Sequence, residues 1–151
     1  MKLVDAIKQA KRVYLCGNGG SAANAIHIAN DLISVGIRAY ALTADVSTLT
    51  AIANDHGYEE VFSMQLLVFG EPSDLLIALS GSGNSINILK AIITANRIGM
   101  ATFAITGSFA DPHAFTYADG GEMEGDTMQD AEAYQIVAGH AAMLQLKKER
   151  Q

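Results

Sequence analysis

Two loops built from glycine and hydroxyl-bearing residues each follow an apolar run and precede an amphipathic one. The first reads Cys16-Gly17-Asn18-Gly19-Gly20-Ser21 after Val13-Tyr14-Leu15, and the second Ser80-Gly81-Ser82-Gly83-Asn84-Ser85 after Leu75-Leu76-Ile77-Ala78-Leu79. Glycine lets a backbone approach an anion closely and turn through positive φ, and the free amides at the start of the following helix attract negative oxygen. One such loop is an ordinary turn; two, enriched in hydroxyls, point to a phosphorylated ligand at the carboxyl ends of parallel strands. Two pairs of a histidine and a carboxylate stand at helical spacings. His27 and Asp31 are i and i+4, one above the other on a helix face, which suits a shared ion or proton. Glu132 and His140 lie eight residues apart, about 12 Å along a helix. They reach one ion only by leaning toward each other or by coming from different subunits.

These groups need a scaffold, and the pattern supplies one. Helical and strand periods alternate with short polar breaks, which argues for a parallel sheet covered on both faces. The expected elements are a short helix over 2–10, a strand over 12–16, a helix that Ser21 can cap running to Val35, a strand over Arg38 to Leu42, and helices over 45–54 and 58–69. A strand over 74–79, a helix from Ser85 to Arg97 and a strand from Ala101 to Thr106 follow. The Gly- and Asp-rich stretch 107–127 has room for one short strand near Phe115, and Met128 to Lys148 form a long last helix. No linker or repeat interrupts residues 1–151, so one α/β domain with about five parallel strands is expected.

Half of the 151 residues are apolar and 17% are charged, the balance of a chain that buries a full core. No apolar run approaches the ~18 residues that span a bilayer, and Met1-Lys2-Leu3 leads into a polar helix rather than a signal peptide. A cytoplasmic protein with no membrane partner is expected, and the single cysteine, Cys16, agrees with a reducing compartment. A net charge of −6 with no basic stripe argues against nucleic acid. An anionic ligand must then be held by local donors. His56 and His113 fall in polar turns and read as exposed, and Lys147, Lys148, Glu149 and Arg150 as a solvated end.

A rival reading of the first loop exists, because Gly17 to Ala22 fits GxGxxA and Asp45 stands where a ribose-binding carboxylate would in a dinucleotide fold. The interval from Gly17 to Asp45 exceeds the usual ~20 residues, and that fold has no use for the second serine loop. Gly-Lys-Ser/Thr and GxSxG do not occur, which removes a Walker loop and a nucleophile elbow.

Three segments, CGNGGSAANAIHIANDL (16–32), STLTAIANDHGYEEVFS (47–63) and DLLIALSGSGNSINILKAI (74–92), together with AEAYQIVAGHAAML (131–144), resemble the sugar isomerase (SIS) domain and within it the phosphoheptose isomerase family. The resemblance implies a flavodoxin-like fold, association into a homodimer or homotetramer, zinc, and conversion of sedoheptulose 7-phosphate to a heptose 7-phosphate through an enediol. By position, Asn18, Gly19, Gly20 and Ser21 match the family's first substrate loop, Asn54 and Asp55 its substrate-contacting pair, and Ser80, Gly81, Ser82 and Ser85 its phosphate loop. His27, Asp31, Glu132 and His140 match its metal ligands. Asp31 or Glu132 would be the base, and His140 would exchange protons with oxygen. A carboxylate and imidazole set suits Zn²⁺ or another divalent transition ion better than Mg²⁺.

The chain departs from the family at three places. Asp31 replaces a glutamate one methylene longer, Glu132 a glutamine, and Gly81 a threonine. About ten residues precede the first strand where the family has a longer helical segment that takes part in assembly, which leaves dimer and tetramer both open. A catalytically silent SIS module that binds a phosphosugar or a protein is the alternative.

Overall fold

The computed structural model describes residues 1–149. Five strands, β1 (Val13–Cys16), β2 (Ala39–Ala41), β3 (Leu75–Ser80), β4 (Ala101–Thr106) and β5 (Gly120–Met123), form one sheet in the order β2-β1-β3-β4-β5 with every pair parallel. Along β1, β3 and β4 both faces are buried, so side chains alternate between two apolar clusters. Val13, Leu15, Leu75, Ile77, Leu79, Phe103 and Ile105 point to the face packed by α1 (Leu3–Gln9), α2 (Gly20–Ser34) and α7 (Met128–Glu149). Tyr14, Cys16, Leu76, Ala78 and Ala104 point to the face packed by α3 (Val46–His56), α4 (Ser63–Phe69), α5 (Ile86–Ile98) and α6 (His113–Tyr117). Each large apolar side chain so buried contributes about 1.5–3 kcal/mol.

This strand order places the point where the chain reverses direction across the sheet between β1 and β3, and ligands of open parallel sheets bind outside the carboxyl ends of the strands there. The two loops follow those two strands. The first turns at Gly19, where φ is +56° and ψ −121°, a conformation that L side chains resist. Gly17 is required for a different reason: a Cβ there would lie 2.5 Å from the main-chain oxygen of Ser21.

Three local expectations change. Ser21 does not cap α2, which begins at Gly20 with Gly19 at the cap position and no side-chain cap bond. The helix expected over 58–69 is broken into a 3₁₀ turn, Tyr58–Glu60, and α4, because the Ser63 hydroxyl bonds the Glu60 carbonyl and carboxylate and competes with the helical ladder. Phe115 lies in α6, not in a strand. The fifth strand is instead the glycine pair Gly120-Gly121 with Glu122 and Met123, and a Cβ on Gly121 would meet the Ala104 carbonyl at 2.6 Å and the Phe115 ring at 3.0 Å.

The helices α2 and α7 run side by side in the same direction, as the approach of Gly20 to Glu132, Ile28 to Gly139 and Asp31 to His140 shows. Gly139 leaves the space that Ile28 fills, since a Cβ there would be 2.6 Å from Ile28 Cγ1. Lys147, Lys148 and Glu149 continue α7 as exposed residues, and Glu149 pairs with Lys8; Arg150 lies outside the described residues. Among the described residues no helix is long and apolar enough to cross a membrane.

Candidate active site

The second loop is ordered by its own polar atoms. The Gly83 amide donates to the carbonyl and to Oγ of Ser80 (both 3.1 Å), and the Asn84 amide donates to Ser82 Oγ (3.3 Å). Asn84 Nδ2 donates to the Asp111 carbonyl (3.1 Å), and its Oδ1 accepts from the His113 amide (3.0 Å), which ties the loop to the start of α6. Ser85 caps α5 with no bond from its hydroxyl to the helix backbone. Gly81 faces Met128 at the head of α7, and a Cβ would sit 2.2 Å from the Met128 sulfur. The absent threonine side chain is thus replaced in space by a thioether.

Lys90, one turn into α5, pairs with Glu60, and this contact followed by the Ser63 hydroxyl holds the Glu60 carboxyl below its usual range.

In the first loop Asn18 is fixed from two sides. Its Nδ2 donates to Asn87 Oδ1 (2.8 Å), and its Oδ1 accepts from Asn87 Nδ2 (2.8 Å) and from the Tyr58 hydroxyl (2.9 Å). Asn87 lies in the first turn of α5, so this amide pair bridges the two loops. Neither Asn87 nor Tyr58 was among the expected site residues; a polar residue between Ile86 and Ile88 on the apolar face of α5 was the available signal. Cys16, beneath the loop, is fully buried, and burial pushes its thiol far up, so it is inert as a nucleophile.

The structure brings His27, Asp31 and His140 together. The two Nε2 atoms are 3.0 Å apart, with Asp31 Oδ2 3.4 Å from His27 Nε2 and 3.2 Å from His140 Nε2. Asp31 Oδ2 is buried and lacks a hydrogen-bond partner of its own. Ligands at ~2.1 Å around one tetrahedral ion stand about 3.4 Å apart, so the three donors are spaced as the face of such a site. An uncompensated buried carboxylate oxygen costs about 1–3 kcal/mol or more, which a shared cation offsets. The residues therefore fit a divalent metal.

Glu132, the fourth expected ligand, is not in this group. Its carboxylate lies over Gly20, where a Cβ would come 2.4 Å from Oε2, and its carbonyl accepts from Asn24 Nδ2 (2.9 Å). The eight residues separating it from His140 on one continuous helix account for the difference. Between these two levels Asn24 Nδ2 also donates to Gln135 Oε1 (2.9 Å).

Asn54 and Asp55 bond each other (2.8 Å) near the exposed end of α3, and neither is bonded to the two loops. His56 and His113 are exposed, as expected. Asp45 caps α3: its carboxylate accepts from Ser47 N, Thr48 N and the Thr48 hydroxyl, and the last of these lowers its pKa most. That engagement removes the carboxylate on which a dinucleotide reading depends.

A parallel sheet in this order, with two glycine-hydroxyl loops at its switch point between β1 and β3, defines a flavodoxin-like α/β protein, a class whose ligands bind at that point. The SIS domain family model matches residues 1–107, and the chain belongs to that family. The phosphoheptose isomerase of Akkermansia muciniphila is 49% identical over 109 residues, 68% of this chain and 58% of the relative. That of Thiobacillus denitrificans is 45% identical over 111 residues, 70% of this chain and 56% of the relative. The chain thus spans less than two thirds of the length of these curated relatives. The solved phosphoheptose isomerase from Neisseria gonorrhoeae superposes with a TM-score of 0.87 at 31% identity, over 97% of this chain and 81% of the other.

Proposed function

We propose that the protein is a phosphosugar aldose-ketose isomerase acting in the cytoplasm on a seven-carbon ketose phosphate, sedoheptulose 7-phosphate. The observation that carries this is the His27, Asp31 and His140 triangle. Two phosphate-type loops would serve a binding module equally well, whereas two imidazoles and a carboxylate within 3.4 Å of one another are proton-transfer and metal-binding equipment. The named relatives support the same chemistry.

In this reading Ser80, Ser82, Ser85 and the amides at the head of α5 hold the phosphate, and the Gly81 amide adds to them. Asn18, Gly19, Gly20 and Ser21, with Asn54 and Asp55, face the sugar. A carboxylate removes a proton from the carbon next to the carbonyl. The released electron pair forms the double bond of an enediol while the carbonyl oxygen takes a proton, from His140 where that imidazole is free of metal. Return of the carbon proton to the former carbonyl carbon, with loss of the proton on the other oxygen, yields the aldose. His27, Asp31 and His140 would hold zinc, which would supply Lewis-acid polarisation of the sugar carbonyl in place of the His140 proton. With Asp31 occupied as a ligand, Glu132 is the carboxylate left for the carbon proton.

Homo-oligomerisation completes the proposal. Ile26, Ile33, Val137 and Leu144, 46 to 59% exposed, lie on the same two helices as the triangle. Apolar surface around a polar site favours cover by a second copy. Purified protein incubated with sedoheptulose 7-phosphate, with and without Zn²⁺, should yield the aldose. Binding without turnover would instead assign a phosphosugar-binding module, and light scattering showing an active monomer would remove homo-oligomerisation from the proposal.

A further inference from the structure

The carboxamide of Asn18 is nearly exhausted before any ligand arrives. An amide oxygen has two lone pairs and its nitrogen two hydrogens. Here Oδ1 accepts from Asn87 Nδ2 (2.8 Å) and from the Tyr58 hydroxyl (2.9 Å), and Nδ2 donates to Asn87 Oδ1 (2.8 Å). Acceptor capacity is full, and one N–H is left.

We propose that Asn87 and Tyr58 are positioning residues, which hold Asn18 as a single-donor contact to a ligand oxygen and keep the first loop in step with the second. This rests on the phosphosugar reading of the site. The terminal torsion of an asparagine is broad, so an unrestrained Asn18 on a glycine loop would sample many orientations and lose that freedom on binding. Three chain segments prevent it: the loop after β1, the 3₁₀ turn after α3, and the first turn of α5. Asn87 is only 3% exposed and lies two residues after Ser85, so displacement of the second loop carries Asn87, and through it Asn18. A hydroxyl or amide hydrogen on the ligand finds no acceptor at Asn18; a phosphate, carbonyl or enediolate oxygen finds a donor.

The alternative role, closing the fold only, predicts a different result for Tyr58. Its side chain is largely solvent-facing, 57% exposed, so Tyr58→Phe removes a hydroxyl without touching the core. Four proteins test Tyr58: wild type, Tyr58→Phe, Asn18→Ala and the double variant. Sedoheptulose 7-phosphate affinity is read by calorimetry, kcat and KM by product formation, and melting temperature alongside. Tyr58→Phe should weaken affinity about three- to tenfold at an unchanged melting temperature, the effect of one hydrogen bond. In the Asn18→Ala background the same change should alter affinity by less than about 1.5-fold, because the hydroxyl acts only through Asn18. Wild-type affinity in Tyr58→Phe, or an equal loss in both backgrounds, overturns the proposal. Asn87→Ala added to Asn18→Ala should likewise cost nothing further in affinity, and an additional loss would give Asn87 a ligand contact of its own and overturn its assignment. If the wild type binds the phosphosugar without turning it over, the isomerase reading fails while the affinity cycle still decides the role of Tyr58 and Asn87.

Discussion

Replacement of Asp31 by Asn changes shape by almost nothing and removes the only anion from the triangle. The consequence is calculable. A direct anionic ligand is worth at least the upper end of the 10- to 100-fold affinity range measured for groups that merely support a ligand, so zinc should bind Asp31→Asn about 100-fold more weakly. At free zinc equal to about 100 times the wild-type dissociation constant, binding stabilises the wild type by about 2.7 kcal/mol. For a chain of this size each kcal/mol moves the melting temperature by about 2–4 °C, which gives a rise of about 5–11 °C over the chelator-treated protein. At the same zinc concentration the variant is only half saturated and gains about 0.4 kcal/mol, or about 1–2 °C. Differential scanning fluorimetry in buffered zinc, with each protein referenced to its own chelator-treated sample, measures the two shifts. Equal shifts would refute the assignment of Asp31 as a ligand, and no shift in either protein would refute a metal site at the triangle.

Three further outcomes are expected. Ser82→Ala with Ser85→Ala should weaken sedoheptulose 7-phosphate binding by at least about 1–3 kcal/mol in calorimetry, because no lysine or arginine in either loop compensates for lost hydroxyl donors. Gly17→Ala should cost at least about 1–3 kcal/mol in thermal unfolding, since its Cβ would press on the Ser21 main chain at 2.5 Å and rigid backbone cannot yield as a side chain would. The Tyr134 phenol is pushed up to about 12, by burial first and then by the bonded Glu122 carboxylate. A raised folded pKa means that this stabilisation is complete below the unfolded value near 10 and is lost as pH rises through about 12. The melting temperature of the wild type should therefore fall more steeply over that window than that of Tyr134→Phe.

How much of this was legible beforehand varies with the kind of signal. The order of strands and helices followed from periodicity, and the two loops from composition, because both are local. His27 with Asp31 was legible as a helix-face pair. Their meeting with His140 required the resemblance, since nothing in spacing brings residue 140 to residue 27. Glu132 was placed with the metal by analogy alone, and about 12 Å of helix rise separates it from His140 and leaves it over Gly20. The fifth strand was expected near Phe115 rather than at Gly120–Met123 because glycines have poor strand propensity. They are nonetheless needed where β5 lies against the Ala104 carbonyl and the Phe115 ring. The break before α4 was missed because it depends on one hydroxyl choosing a carbonyl three residues back.

The pairing of α2 with α7 has a mechanical side. Polar groups meet at three successive levels along the two helices: Gly20 under the Glu132 carboxylate, Asn24 on Gln135, and Asp31 between His27 and His140. Together they act as a vernier. A slip of α7 by one turn, about 5.4 Å, would misalign all three marks at once, so intermediate offsets gain nothing and the helix seats in a single notch. Whatever tightens the lowest mark, at the imidazoles, also fixes the height at which Glu132 stands over Gly20 at the head of α2.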